Sequence, residues 1–349
     1  MYMVVILHVL GCGGIIGSCE RFTTNYYVVR LLESATYCSV NIFAMITGYV
    51  MVNSKFNYLK IIPLWLKVSF YGATTYILFR FVPYLHQIYE VGKIDFLKAT
   101  FLPVVTHQYW YFTSYFCLFF FIPFINRCIL SLSKKEFKIM CITIIVLFTI
   151  IPHFLTSGTD PFRLGGGYNQ WWLLCMYLIG AYFKLYPIEI SKAKCLLLYA
   201  ISTICAWFAG HVLMRLFGSD EVLIRFVDYT SVFIVISSGA LLVLFSQMRI
   251  TRTSLQKIIR FFSPLAFSVY LIHVQPLTYN HLLGWNFASF VNDNVTVLTV
   301  KVIITTTAIF FACLLIDIPR QYLFKALGIN NIAKKLQSKF SQESTDKID

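Results

Sequence analysis

Residues 140–154, 196–213, 226–245 and 295–318 form apolar runs that only a very large protein interior or a lipid bilayer can accommodate. A helix crosses the hydrocarbon core of a bilayer with about 20 mostly apolar residues, and these runs approach or pass that length. The remainder of the chain does not dilute them. Of 349 residues, 58% are hydrophobic and 13% charged, more apolar surface than a water-soluble core of this size hides. Barrel strands would read as short alternating segments, so the fold class is all-α, a polytopic membrane protein with a bundle of about ten transmembrane helices.

The crossings are expected near residues 1–16, 35–52, 61–82, 109–127, 137–154, 168–185, 194–217, 225–245, 261–282 and 296–318. Basic residues fall in every second connection: Lys55 and Lys60; Arg127, Lys134, Lys135 and Lys138; Lys184, Lys192 and Lys194; Arg249, Arg252, Lys257 and Arg260; Arg320, Lys325, Lys334, Lys335 and Lys339. The positive-inside rule makes that side cytoplasmic, the C-terminus included, and so reads the net charge of +14 as topology, with no nucleic-acid partner. Residues 1–320 are then one transmembrane domain and 321–349 a cytoplasmic tail, whose closing "SQESTDKID" is too short and polar to bury a core. The first run starts at Met1 without a basic flank, which leaves two readings: the natural chain begins earlier, or the first helix enters the membrane abruptly.

The opposite connections, 20–34, 83–108, 155–169, 218–224 and 284–295, mix acidic, aromatic, amide and glycine residues and are where a polar substrate is expected. No signal peptide and no internal repeat is visible, and the second absence counts against the inverted-repeat transporters. The ten cysteines lie mostly in apolar segments, without a CxxC pair or a His at zinc-finger spacing, so they read as small buried hydrophobes and not as a metal site. Cys12, Cys19 and Cys38 lie near the external face, where a disulfide is chemically permitted.

Ionisable side chains inside apolar helices are costly, and each is a functional candidate. His8, in "VVILHVLG", and His273, in "SVYLIHVQP", qualify best. His273 lies about twelve residues, or roughly 18 Å, from the inner end of the ninth helix, near mid-membrane. His8 is expected at similar depth on a helix running the same way, so the two can face one cavity. Histidine takes and returns a proton near neutral pH, which a hydroxyl nucleophile requires. The plainer alternative is a hydrogen bond to a neighbouring helix.

Two external clusters, "HQYWYF" with Trp110 and "GYNQWW" with Trp171, combine ring faces and amides suited to sugar binding; the alternative is an interfacial aromatic belt. Lys55 and Lys60, with Arg249 through Arg260, are candidates to hold the phosphates of an anionic donor, and topology alone is the competing account. Glu20, Arg21, Arg30 and Glu33 flank the first external turn, where Glu33 is a candidate to orient a His or bind acceptor unless the loop is simply solvated. Asp317, beside Pro319 and Arg320, reads as an interfacial ion pair.

In this order the segments resemble the acyltransferase-3 family of integral membrane acyltransferases along nearly the whole chain. "MYMVVILHV" is similar to its first helix with an essential His, and "SVNIFAMITGYVM" to its second-helix signature ending in Ser/Thr-Gly-Tyr. "FNYLKIIPLW" resembles its basic stretch before Pro and an aromatic, and "YWYFTSYFCLFFFIPFIN" its tryptophan-led helix ending in Pro and Asn. "LLCMYLIGAYF" resembles its Tyr-x-x-Gly helix, and "FSPLAFSVYLIH" its late Tyr-Leu-Ile-His segment. The resemblance implies transfer of an acyl group, usually acetyl, from cytoplasmic acetyl-CoA to a hydroxyl of an extracytoplasmic or lipid-linked carbohydrate. No tightly bound cofactor is implied; acyl-CoA is a co-substrate, and carbohydrate and membrane lipid are the other partners. A bacterial plasma membrane and a role in modifying capsule or exopolysaccharide follow from the same resemblance. His8 matches the first-helix His and His273 the late one, with His8 acting as general base or transient acyl carrier. The family's basic residue upstream of the first His falls before Met1, and Lys60 stands where the family often has several arginines. Asn41, Tyr49 and Tyr270 are the expected polar lining of a cavity between the first, second and ninth helices.

Two other classes fit ten helices with buried histidines: a carrier or exporter of a glycan or small metabolite, and a scaffold for polysaccharide assembly. The missing repeat and the scarcity of buried carboxylates argue against the carrier. Indifference to loss of His8 would mark the scaffold.

Overall fold

The computed structural model describes residues 1–154, 160–218, 220–332 and 336; these are helices and connections, with no strand among the described residues. Among the described residues, seven helices are long and apolar enough to cross a membrane: Tyr58–Phe81, Trp110–Ser131, Lys134–Phe154, Lys192–Phe217, Leu223–Ser246, Thr253–His273 and Val295–Ala326. The other three expected crossings are helical but short or interrupted. The first breaks between Leu10 and Ile15, the second is two helices meeting at Tyr37, and Gln170–Leu185 has 16 residues. Parts of the expected external connection 155–169 and of the tail, including Lys334, Lys335 and Lys339, lie outside the described residues.

The helices that build the site are α1 (Tyr2–Leu10), α2 (Thr24–Thr36), α3 (Cys38–Met51), α4 (Ile61–Phe81), α5 (Trp110–Ser131), α6 (Gln170–Leu185), α7 (Thr253–Phe262), α8 (Ala266–His273) and α9 (Val295–Ala326). Side-chain caps fix several starts: the Thr23 hydroxyl accepts from Tyr26 N, Asn169 Oδ1 from Trp172 N, and Asn294 Oδ1 from Val297 N.

Two glycines set the closest helix crossing. A Cβ at Gly48 of α3 would lie 1.9 Å from the Tyr177 carbonyl oxygen, and one at Gly180 of α6 would lie 1.9 Å from that of Met45. In lipid, where no hydrophobic effect drives helices together, such backbone proximity supplies the packing attraction. Side chains bond across the joint. Tyr177 donates to Asn126 Oδ1 at 2.6 Å, and Asn126 Nδ2 donates to the Met51 carbonyl at 2.9 Å, bringing in α5. The Thr-Gly-Tyr, Tyr-x-x-Gly and Pro…Asn landmarks of the sequence are thus parts of one structural joint.

At the end of the bundle carrying the basic connections, Asp317 of α9 forms the expected ion pair with Arg320 and is fully buried. Arg320 reaches it with two bonds of 2.7 Å, the Tyr71 hydroxyl donates to it, and Lys67 Nζ lies 3.9 Å away. The burial follows from α4, which contributes Lys67 and Tyr71 to cover it. Lys67 also donates to the Pro264 carbonyl at 3.1 Å, tying α4 to the turn before α8.

The chain breaks immediately after α8. Pro276 has no N–H to continue the helix, and in its last turn the Leu271 carbonyl accepts from the Tyr109 hydroxyl at 3.0 Å. Gln275 Oε1 accepts from Leu277 N at 2.7 Å and starts a new segment, whose Thr278–Leu283 portion is π-helical. Beyond it, Trp285 N and Phe287 N donate to the carbonyls of Cys12 and Gly13 at 2.9 and 3.0 Å. This backbone clip holds the far end of the first crossing against the ninth, and Gly14, at φ +86°, lets Trp285 pack on it.

Candidate active site

His8 and His273, 265 residues apart in sequence, are hydrogen-bonded: His8 Nδ1 to His273 Nε2 at 2.9 Å. The break after α8 leaves His273 at the last helical position, where its Nδ1 donates to the Val269 carbonyl one turn back. That bond decides both tautomers. With Nδ1 carrying the proton, His273 Nε2 is a lone pair and accepts from His8 Nδ1–H. His8 Nε2 is then itself a lone pair, with no hydrogen bond to any described residue. The His8 ring packs edge-on against Tyr279, with ring centres 5.2 Å apart, which fixes its plane.

Two cavities meet at His8. An inner one of about 370 Å³, toward the basic end, is bounded by Met1, Leu64, Ser263 and Phe267 and floored by Val4, Phe43, Phe112 and Ala266. His8 is its only ionisable group apart from tyrosines and the Met1 amine. An outer one of about 420 Å³ is bounded by Cys12, Glu33, His107, Gln108, Tyr168 and Asn280. Leu7, His8, Trp110 and Tyr229 line both and so form the wall between them. Tyrosines line both sides; the inner side is otherwise mostly apolar, whereas the outer adds the amides of Gln108 and Asn280, His107 and the Glu33 carboxylate.

Aromatic packing builds that wall. Trp110 lies 4.7 Å from Tyr168 and 6.0 Å from Tyr229, ring centre to ring centre, and Tyr168 lies 4.8 Å from Tyr229. The Tyr37 and Tyr168 hydroxyls are 3.1 Å apart. The two external clusters of the sequence therefore converge, through Trp110 and Tyr168. Glu33 of α2 borders the outer cavity while accepting from Arg30 Nη1 at 2.9 Å, which neutralises it. His107 adopts φ +54° in the outer rim, a conformation a non-glycine residue holds only where its surroundings fix it.

Several residues singled out in the sequence lie elsewhere. Asn41 lines neither cavity: its Nδ2 donates to the Tyr229 carbonyl at 2.8 Å and its Oδ1 accepts from Trp172 Nε1 at 2.9 Å. It holds the wall from behind. Tyr49 lies at the basic end with its ring 4.9 Å from Lys184 Nζ, away from both cavities. Trp171 is 62% exposed on the outer face of α6, while its neighbour Trp172 is fully buried. Lys55, Lys60, Arg249 and Arg260 are exposed at the basic end and line neither cavity, although Lys60 is one helical turn from Leu64 of the inner rim. Tyr270 does line the inner cavity, with its hydroxyl buried and unpartnered. All ten cysteines are free, and Cys12 donates to the Tyr279 carbonyl at 3.0 Å.

Sequence reasoning missed Tyr229. The signal was the polar pair Asp228-Tyr229 inside the apolar run 226–245, the kind of interruption that had singled out the histidines. Tyr279 and Asn280 were missed too, because the helix was expected to continue through them whereas it breaks after His273.

An imidazole with one nitrogen oriented by a second histidine and the other free at a cavity wall is equipped to take a proton from a hydroxyl arriving from one side while an electrophile arrives from the other. Among known proteins, the acyltransferase-3 family model, described as an acyltransferase domain, matches residues 1–317. No curated protein and no solved structure matches the chain.

Proposed function

Given that the chain belongs to the acyltransferase-3 family and is therefore a membrane acyltransferase, we propose that it moves acetyl from cytoplasmic acetyl-CoA to a hydroxyl of an extracytoplasmic or lipid-linked carbohydrate. The observation that carries this reading is the position of His8 in the wall between a mostly apolar inner cavity and a more polar outer one lined by amides, a carboxylate and aromatic rings. The inner cavity suits the uncharged thioester end of the donor. Its nucleotide phosphates remain at the basic end, proposed as cytoplasmic, where Lys60 stands a turn from the rim and Lys55 nearby. The outer cavity offers a sugar ring the Trp110, Tyr168 and Tyr229 faces, with Glu33, Gln108 and Asn280 to bond its hydroxyls.

In the proposed reaction His8 Nε2 removes the proton of the acceptor hydroxyl as its oxygen attacks the thioester carbonyl. The new C–O bond forms, the C–S bond breaks, and the proton passes from His8 to the departing thiolate. His273 keeps His8 in the tautomer that makes Nε2 the base, and shares the positive charge of the imidazolium through the 2.9 Å bond. Acting on the acceptor directly, the base spares the enzyme a covalent acyl-histidine.

Mass spectrometry of surface glycans from cells expressing the protein or its His8→Ala variant, at equal membrane levels by immunoblot, tests the proposal. The expected result is loss of the acetyl mass increment with glycan export unchanged. Unmodified glycans in both strains, or loss of export in the variant, would overturn it in favour of a carrier.

A further inference from the structure

Helix α7, Thr253–Phe262, has apolar residues Leu255, Ile258, Ile259 and Phe262 at spacings of three, four and seven, one helical stripe, and no buried residue. Leu255, Ile258 and Ile259 are 43%, 53% and 40% exposed. Only Phe262, at its last position, joins the bundle interior, against the core of α1 and α9. The segment 249–262 carries Arg249, Arg252, Lys257 and Arg260 and no acidic residue, and none of the four borders a cavity. Before Phe262 the apolar stripe has no partner among the described residues, and its basic flank lies at the same end of the bundle.

The apolar span Thr253–His273 is interrupted by the 3-10 turn Ser263–Leu265 with Pro264, and the part before that turn, with these two faces at the basic end of a membrane protein, fits the boundary between acyl chains and headgroups. We propose that α7 lies in the interface of that leaflet, with its stripe among the acyl chains and its four basic residues on the phosphates of anionic phospholipids. Charge complementarity selects the occupant, since a zwitterionic surface offers the stripe the same apolar environment but no net attraction for four cations. The seating also has a mechanical consequence. The helix runs into Pro264, whose carbonyl Lys67 holds, and into Ser263 and Phe267 at the rim of the inner cavity, so lipid at α7 fixes the orientation of that rim.

The full chain is reconstituted in phosphatidylcholine vesicles with a minor fraction of phosphatidylglycerol and extracted in mild detergent. Mass spectrometry then measures its retained lipids. Wild type is expected to retain phosphatidylglycerol at several times its vesicle proportion, falling toward that proportion in the Arg249→Gln, Arg252→Gln, Lys257→Gln, Arg260→Gln quadruple variant. The Lys134→Gln, Lys135→Gln, Lys138→Gln variant, altered in a different basic turn, is expected to behave as wild type. Wild-type enrichment in the quadruple variant would overturn the proposal. So would unchanged enrichment with a raised KM for acetyl-CoA, which would make the four residues a donor site. If the quadruple variant does not accumulate, rising salt on wild type decides: loss of enrichment supports the proposal, and salt-insensitive enrichment overturns it. Lipid retention is read without turnover, so its failure is distinct from failure of the acetyl-transfer reading.

Discussion

Two of the buried polar joints in this bundle are finished differently. In the α3–α5–α6 joint both ends of the Asn41 and Asn126 amides are bonded, to Tyr229, Trp172, Tyr177 and Met51. In the α1–α8 joint the chain of bonds runs from Val269 through His273 to His8 and stops at a ring nitrogen on a cavity wall. A fully matched network spends its polarity on holding helices in register; one left open at a cavity has polarity to offer a substrate.

Substitutions that confuse the two joints test this distinction. His8→Ala is expected to lower acetyl transfer by about 10³-fold or more, in the range of a lost general base, with the amount of folded protein unchanged by size-exclusion chromatography. Gly180→Leu should do the reverse and deplete the folded protein itself, because its Cβ would collide with the Met45 carbonyl 1.9 Å away. If Gly180→Leu instead gave well-folded, inactive protein, the scaffold role of that joint would be wrong. His273→Leu should cost about 10²-fold in turnover by freeing the His8 tautomer, and His273→Gln, whose amide oxygen can accept from Nδ1, should recover part of it. Equal loss in both variants would mean His273 does more than orient.

Smaller effects sharpen the comparison further. Asn41→Leu leaves the Tyr229 carbonyl and the Trp172 indole unpaired, a loss of about 2–4 kcal/mol, read as a lowered Tm with the chemical step largely intact. Trp110→Ala should raise the acceptor KM about tenfold, the scale of one aromatic face. Trp171→Ala should change it less than twofold, and a larger change would return Trp171 to the acceptor site.

The fold class and the two histidines were legible because both are set by single-residue chemistry: an apolar run asks for lipid, and an imidazole inside one asks for a reason. That His8 and His273 touch was not, since it depends on the clip between residues 12–13 and 285–287 and on a helix ending at His273. Trp171 and Trp172 show the limit at finest scale. Neighbours on a helix differ by about 100° of rotation, and no composition rule says which faces the interior. The Asp317–Arg320 pair was legible from one helix, but its cover by Lys67 and Tyr71 was not, because these come from α4, with Tyr71 246 residues before Asp317.

The hydrogen bond from Tyr109 to the Leu271 carbonyl bears on how this protein can be re-engineered. Tyr109 precedes Trp110 of the wall between the cavities, and Leu271 lies two residues before His273, so one phenol couples the proposed acceptor side to the position of the proposed base. Exchanging residues 103–110 for another loop to change acceptor choice would also unpin the broken end of α8. A transplanted loop therefore has to bring a donor of the same reach at position 109, and libraries that randomise that position along with its neighbours will discard active designs for a reason unrelated to the acceptor.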